Sequence, residues 1–227
     1  MFSYSRALSA IGLLAAANLT AGSAAGSSIA VAQWNMDETF GTTMNDSSGN
    51  GNNGTMTNVV TSGGGFVFDG ATSNVVVPDS PTLNPGTSNF SYTVQVQTDV
   101  VPAVGKDYDV MRKGLSNTTG GEFKVEVEYS SGIGKALCVV KDNTGKSGSI
   151  TGTTNVADGN LHTITCSKGP GSILLTVDSL KARKKYVSLG NVSNTAQLLI
   201  GSRTSTVLDS TNDWYNGTIR SASVSVG

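Results

Sequence analysis

Apolar and polar residues alternate singly along most of this chain, in short runs separated by glycine, asparagine and serine. Phe90, Tyr92, Val94 and Val96 fall on one side of such a run, and Ser91, Thr93, Gln95 and Gln97 on the other. Phe123, Val125, Val127 and Tyr129 repeat the pattern against Lys124, Glu126 and Glu128. A period of two marks a strand with one face in a core and the other in water. Further short runs occur at Ala30 to Met36, Phe66 to Phe68, Asn74 to Val77, Tyr108 to Lys113, Ala136 to Lys141, Ala196 to Ile200 and Gly217 to Val226. Between Asp158 and Ser179 two alternating runs flank Lys168-Gly169-Pro170-Gly171, which predicts a hairpin. The tract from Asn45 to Gly54 is too rich in Asn, Ser and Gly for a regular element and predicts a compact loop. With no helical period of useful length, the pattern predicts an all-β chain whose two antiparallel sheets pack as a β-sandwich.

The first 25 residues break this pattern. Arg6, an apolar run from Ala7 to Ala17 and small residues at Ser23, Ala24 and Ala25 have the layout of a secretory signal peptide that is removed from the mature chain. Residues 26–227 then form one domain of roughly 200 residues, enough to bury a two-layer core. The leader is too short to span a bilayer, and no later run reaches the roughly 20 apolar residues required. The expectation is a secreted, extracellular protein without membrane insertion.

Fifteen basic residues face sixteen acidic ones, a net charge of −1, which supplies no field for nucleic acid or an anionic membrane. The one basic cluster, Lys181 to Lys185, reads as a solvated hairpin loop, with contact to an acidic glycan as the alternative. Of the two cysteines, Cys138 lies in one strand-like run and Cys166 in another. An oxidising destination favours a disulfide between them, read as a staple of neighbouring strands, over a catalytic thiol with no evident histidine partner.

Several motifs together resemble the laminin-G-like branch of the concanavalin A-like lectin and glucanase jelly rolls, in the versions common in exported bacterial proteins. Trp34-Asn35-Met36-Asp37-Glu38 followed by Asn45 to Gly51 looks like the opening strand and its asparagine-glycine loop, and Phe66-Val67-Phe68-Asp69-Gly70 like the second signature. Val110 to Gly114 with Gly121 to Val127 looks like the middle strands. Asp158-Gly159-Asn160-Leu161-His162 with Thr176-Val177-Asp178 looks like the hairpin, and Ile200-Gly201 with Tyr215 to Ile219 like the close. The resemblance covers nearly all of the mature chain and implies a jelly roll. The fold hosts lectins, adhesion modules, hydrolases and lyases, so function has to come from the site. Two positions depart from the family pattern: Arg220 and Ser221 stand where acidic residues usually follow the closing strand's glycine-x-isoleucine, and Ser179 stands where glycine usually opens the turn.

Many members of the family hold a structural calcium ion near the opening loop, which the resemblance assigns to Asp46 first, then Asp37 and Glu38, with Asp69 behind them. The competing reading of Asp46 is an Asx-type turn in which it bonds its own backbone. For catalysis the one carboxylate pair is Glu126 and Glu128, two apart on one strand face, as a retaining glycosidase would require. The single histidine, His162, reads as strand packing or hydrogen bonding and Trp34 as core. Trp214, in a polar tract before the last strand, is either a stacking platform for a sugar or a core cap. The candidate ligand contacts are therefore Trp214, Glu126, Glu128 and Arg112.

The leading expectation is a non-catalytic module binding extracellular or cell-wall carbohydrate. The rivals are a polysaccharide-degrading hydrolase or lyase and a structural surface domain with a protein partner. Asn-x-Ser/Thr triplets at Asn89, Asn117, Asn191 and Asn216 would be glycosylated only in a eukaryotic source.

Overall fold

A computed structural model describes residues 28–180, 182–206 and 211–227. The signal peptide expected at 1–25, and Lys181 of the basic cluster, lie outside the described residues. In chain order the strands are β1 (Ile29–Trp34), β2 (Thr43–Met44), β3 (Gly54–Thr57), β4 (Val60–Thr61), β5 (Phe66–Asp69), β6 (Asn74–Val77), β7 (Phe90–Gln97) and β8 (Asp107–Lys113). They continue with β9 (Glu122–Ser130), β10 (Ile133–Lys141), β11 (Ser147–Asn155), β12 (Leu161–Gly169), β13 (Ser172–Val177), β14 (Arg183–Tyr186), β15 (Leu198–Ile200) and β16 (Asn216–Val226).

Two 8-stranded sheets result, all pairs antiparallel. One runs β14-β13-β12-β7-β16-β5-β4, with β1 also paired to β16; the other runs β11-β10-β9-β8-β15-β6-β3-β2. Their inner faces carry the apolar halves of the alternating runs, so Tyr92, Val94, Val96, Phe123, Val125, Val127, Ile164 and Leu175 are buried in one core with Trp34. The indole of Trp34 donates to the Asn52 carbonyl at 2.7 Å, which anchors the Asn-Gly loop to the core. This is an all-β jelly-roll sandwich.

The hairpin forms as expected, with Gly169 opposite Ser172 and Pro170-Gly171 between them. Gly171 has φ +70°, the left-handed position that glycine occupies after proline in a type II turn. Cys138 and Cys166 are bonded, with Cα atoms 5.8 Å apart. The bond does not join neighbouring strands: β10 and β12 belong to opposite sheets, and both cysteines point inward, so it crosses the core. The basic cluster is likewise no hairpin loop. Residues 183–186 form the edge strand β14, every residue of it exposed; cationic side chains on an edge discourage further strand pairing.

Candidate functional site

The expected ligand-contact positions divide when placed on the sandwich. Arg112, Glu126 and Glu128 share the outer face of the β8–β9 pair, while Trp214 is 5% exposed and presents no open face for stacking. Glu126 is itself 1% exposed. It forms an ion pair with Lys124 and lies opposite Asp109 in the β8–β9 register. Glu128 lies opposite Asp107 and stays half-buried, so the proposed Glu126–Glu128 pair is displaced by a different one, Glu126 with Asp109.

Alternation alone does not bring Asp109 and Arg112 to one face, because they are three residues apart. A bulge between Asp109 and Met111 inserts the extra residue and reverses the parity of the strand. The backbone groups freed by the bulge are taken up by the loop after β15: Asp109 N–H donates to the Asp213 carbonyl and Gly201 N–H to the Val110 carbonyl. Arg112 can then reach back to Asp109 at 2.6 Å and across to Glu122 at 3.2 Å, while its Nε donates to the Gly114 carbonyl. Asp109, Arg112 and Glu122 are all less than 5% exposed.

This cluster holds three carboxylates and two cations, and two carboxylate oxygens, Asp109 Oδ1 and Glu126 Oε2, are enclosed without a hydrogen-bond partner. Burial raises the Asp109 pKa to about 6, with Arg112 and Lys124 holding it back and Asp107 and Asp213 adding to the rise. Burial and then the neighbouring charge of Asp109 push Glu126 up to about 8, against the pull of Lys124. At neutral pH the pair retains a proton, which balances the charges of the cluster.

Beside it lies a cavity of about 180 Å³ with Arg112 in its lining. Leu115 and Thr118 supply one wall, Ala196, Gln197 and Leu199 another, and Arg203 a third. The turn between β8 and β9, which carries Leu115 and Thr118, is fixed by Gly121 (φ +97°), where a Cβ would sit 2.2 Å from the Lys141 carbonyl oxygen, and by Asn194, whose amide donates to the Gly121 carbonyl at 2.8 Å. Lys113, fully buried, pins the far side by donating to Asp79 and to the Asn194 and Ala196 carbonyls.

The loop expected to hold calcium is organised differently. Asp46 Oδ1 accepts from the backbone N–H groups of Gln33 and Ser48, and Oδ2 from Asn52 N–H and the Ser48 hydroxyl, at 2.9 Å in each case. Burial opposes its ionisation, and these donors outweigh burial and lower its pKa. Asp69 is occupied in the same way by Ala71, Thr72 and Ser73. Glu38 Oε1 accepts from Asn45, and Asp37 is exposed. Calcium takes 6–8 oxygen ligands; N–H donors aimed at Asp46 and Asp69 would oppose an ion there, and among the described residues no three acidic, histidine or cysteine side chains converge as a metal site. The Asx-turn reading accounts for Asp46, while Glu38 Oε2 is enclosed without a hydrogen-bond partner.

His162 is a brace within the hairpin. Its Nδ1 lies 2.6 Å from Asp178 and its Nε2 2.9 Å from Asp158, and Asp178 also accepts from Thr163 N–H. Burial disfavours its charged form, yet the two aspartates outweigh burial and raise its pKa.

No protein-family model and no curated protein matches the sequence. In shape the chain is similar to the ligand-binding domain of botulinum neurotoxin serotype D in complex with N-acetylneuraminic acid, with a TM-score of 0.58 at 12% identity over 86% of this chain and 47% of that one. It is also similar to domain 4 of AbnA, a GH43 extracellular arabinanase from Geobacillus stearothermophilus, in complex with arabinotriose, with a TM-score of 0.59 at 14% identity over 88% and 93%. Domains LG4-5 of the mouse laminin alpha1 chain give a TM-score of 0.50 at 12% identity over 71% and 41%. The chain spans about half the length of the neurotoxin domain. At such identities the likeness is one of fold, and the fold is laminin-G-like.

Proposed function

We propose that this chain is an exported, non-catalytic module that binds carbohydrate at the outer face of β8 and β15 and the loops beside them. The observation that carries this reading is the cavity beside Arg112. It combines apolar walls at Leu115, Ala196 and Leu199 with hydrogen-bonding side chains at Thr118 and Gln197, the mixture that suits a sugar ring with one apolar and one hydroxylated face. The sugars held by the similar neurotoxin and arabinanase domains support a carbohydrate ligand, and the disulfide across the core supports export. A polysaccharide-cleaving enzyme would find a proton-bearing carboxyl in Glu126, but an acid that is 1% exposed does not touch a glycosidic oxygen.

A glycan array probed with the full chain tests the reading, with binding expected to at least one glycan class and to weaken in a Leu199→Ala variant. If no glycan is retained, the module reading fails. Release of reducing ends or unsaturated products from a polysaccharide panel would replace it with the enzyme.

A further inference from the structure

The charged side chains in the cavity's described lining are both cationic, Arg112 in the floor and Arg203 at the mouth. A guanidinium carries five N–H donors. Arg112 uses three of them, toward Gly114, Asp109 and Glu122, which leaves one N–H on each terminal nitrogen. Asp109 and Glu122 balance its charge and fix its plane, so it acts as a positioned pair of donors. Arg203 supplies the charge: it is 45% exposed, and among the described residues its one acidic contact, Asp213, is a distant 3.5 Å.

Resting on the carbohydrate reading, we infer that the cavity selects an acidic sugar, a residue bearing a carboxylate such as a uronic or sialic acid. The carboxylate sits between Arg112 and Arg203, and the apolar face of the ring lies on Leu115 and Leu199. The planar two-oxygen acceptor matches the paired donors of an arginine, and charge complementarity excludes cationic sugars. A volume of about 180 Å³ is below the range of sites for drug-sized ligands and suits a single ring, so recognition falls on one acidic residue of a chain.

The test is calorimetric titration of the full chain with matched probes: trigalacturonate against its methyl ester, and sialyllactose against lactose. At least one acid should bind tenfold or more tightly than its neutral partner and weaken with added salt. Arg203→Ala should remove that preference, Arg203→Lys should restore part of it, and neither should shift the melting temperature, since Arg203 lies in an exposed loop. Equal binding of acid and neutral forms, or an acid preference that survives Arg203→Ala, overturns the inference and leaves the carbohydrate reading standing. A sulfated trisaccharide that outcompetes both acids also overturns the carboxylate assignment. Failure of every probe, together with an array that retains no glycan, removes both.

Discussion

Two sets of carboxylates in this molecule differ in their donors, and Asp142 and Asp109, equally buried, show that the donors matter as much as the depth. Asp46, Asp69 and Asp142 each sit in a turn whose backbone N–H groups point at them; Asp142 accepts from Thr144, Lys146 and Gly190. All three have lowered pKa values although burial opposes it, and Asp142 is only 3% exposed. Asp109 and Glu126 match Asp142 in depth and lie deeper than half-buried Asp46 or exposed Asp69, but they meet across two strands whose backbone donors are taken up by sheet pairing. Each leaves one oxygen unpartnered, and their pKa values rise. A loop can wrap a carboxylate with donors and keep it charged; a sheet face has only side chains to offer, so the charge must be matched or protonated.

The difference is tested most severely at Arg112. Replacing it with methionine leaves Asp109 and Glu122 buried without their cation, and breaking a buried pair from one side costs about 3–5 kcal/mol. Urea unfolding of Arg112→Met should register a loss in that range. A loss under about 1 kcal/mol would mean that the cluster is solvated.

Next in size is the pH response of the pair. Glu126 has its folded pKa raised to about 8, so the stability it contributes is full below its unfolded value near 4.3 and is lost as pH rises through the folded value. The native chain should therefore lose stability between about pH 4 and 8. In Glu126→Gln this part of the slope should vanish, which melting curves across that range would reveal.

Asp46 represents the other set. Asp46→Ala removes four acceptor contacts, but the site is half-buried, and water can reach part of what is freed. The expected cost is about 1–2 kcal/mol by urea unfolding, smaller than at Arg112 although more hydrogen bonds are lost.

Much of this was legible in the chain. β7, β9 and the β12–β13 hairpin follow from strict alternation because one face of each meets the core and the other meets water. β11 escapes the same reading because Gly148 and Gly152 take core-facing places, where a Cβ at Gly148 would lie 2.7 Å from Val187. A strand whose inward side chains are absent looks like a loop. Asp46 announced itself through its Asn-Gly setting, since turn chemistry is local. Asp109 did not: period two puts Asp107, Asp109 and Met111 on one face and Arg112 on the other, and only the bulge, held by a loop some ninety residues downstream, reverses this. Trp214 was ambiguous for a related reason, because a loop residue's burial depends on the sheet onto which the loop folds.

His162 stands between the two sets, a side chain held by two aspartates at the sandwich rim. Its raised pKa places its contribution below about pH 6.5, lost as pH rises through the folded value. Asp158, lowered to about 2 by its bond to His162, contributes above about pH 4 and loses that as pH falls. The brace is complete only between those limits. Both aspartates are about one-third exposed, so His162→Gln should cost at most about 1 kcal/mol at pH 5.5 and less at pH 8.

The smallest expected effect belongs to calcium. An ion near the opening loop would have to draw Asp46 oxygens away from three backbone N–H groups and a hydroxyl, and each deserted donor would then need water. The ion would gain few ligands in return, since Asp37 lies in the open and Glu38, which holds Asn45 through Oε1, offers only its unpartnered Oε2. The melting temperature should therefore be the same in millimolar calcium and in excess chelator, while Asp46→Ala lowers it in both. A rise with calcium that disappears in Asp46→Ala would place the ion at Asp46, and the backbone donors would then have to turn away from a carboxylate they now enclose.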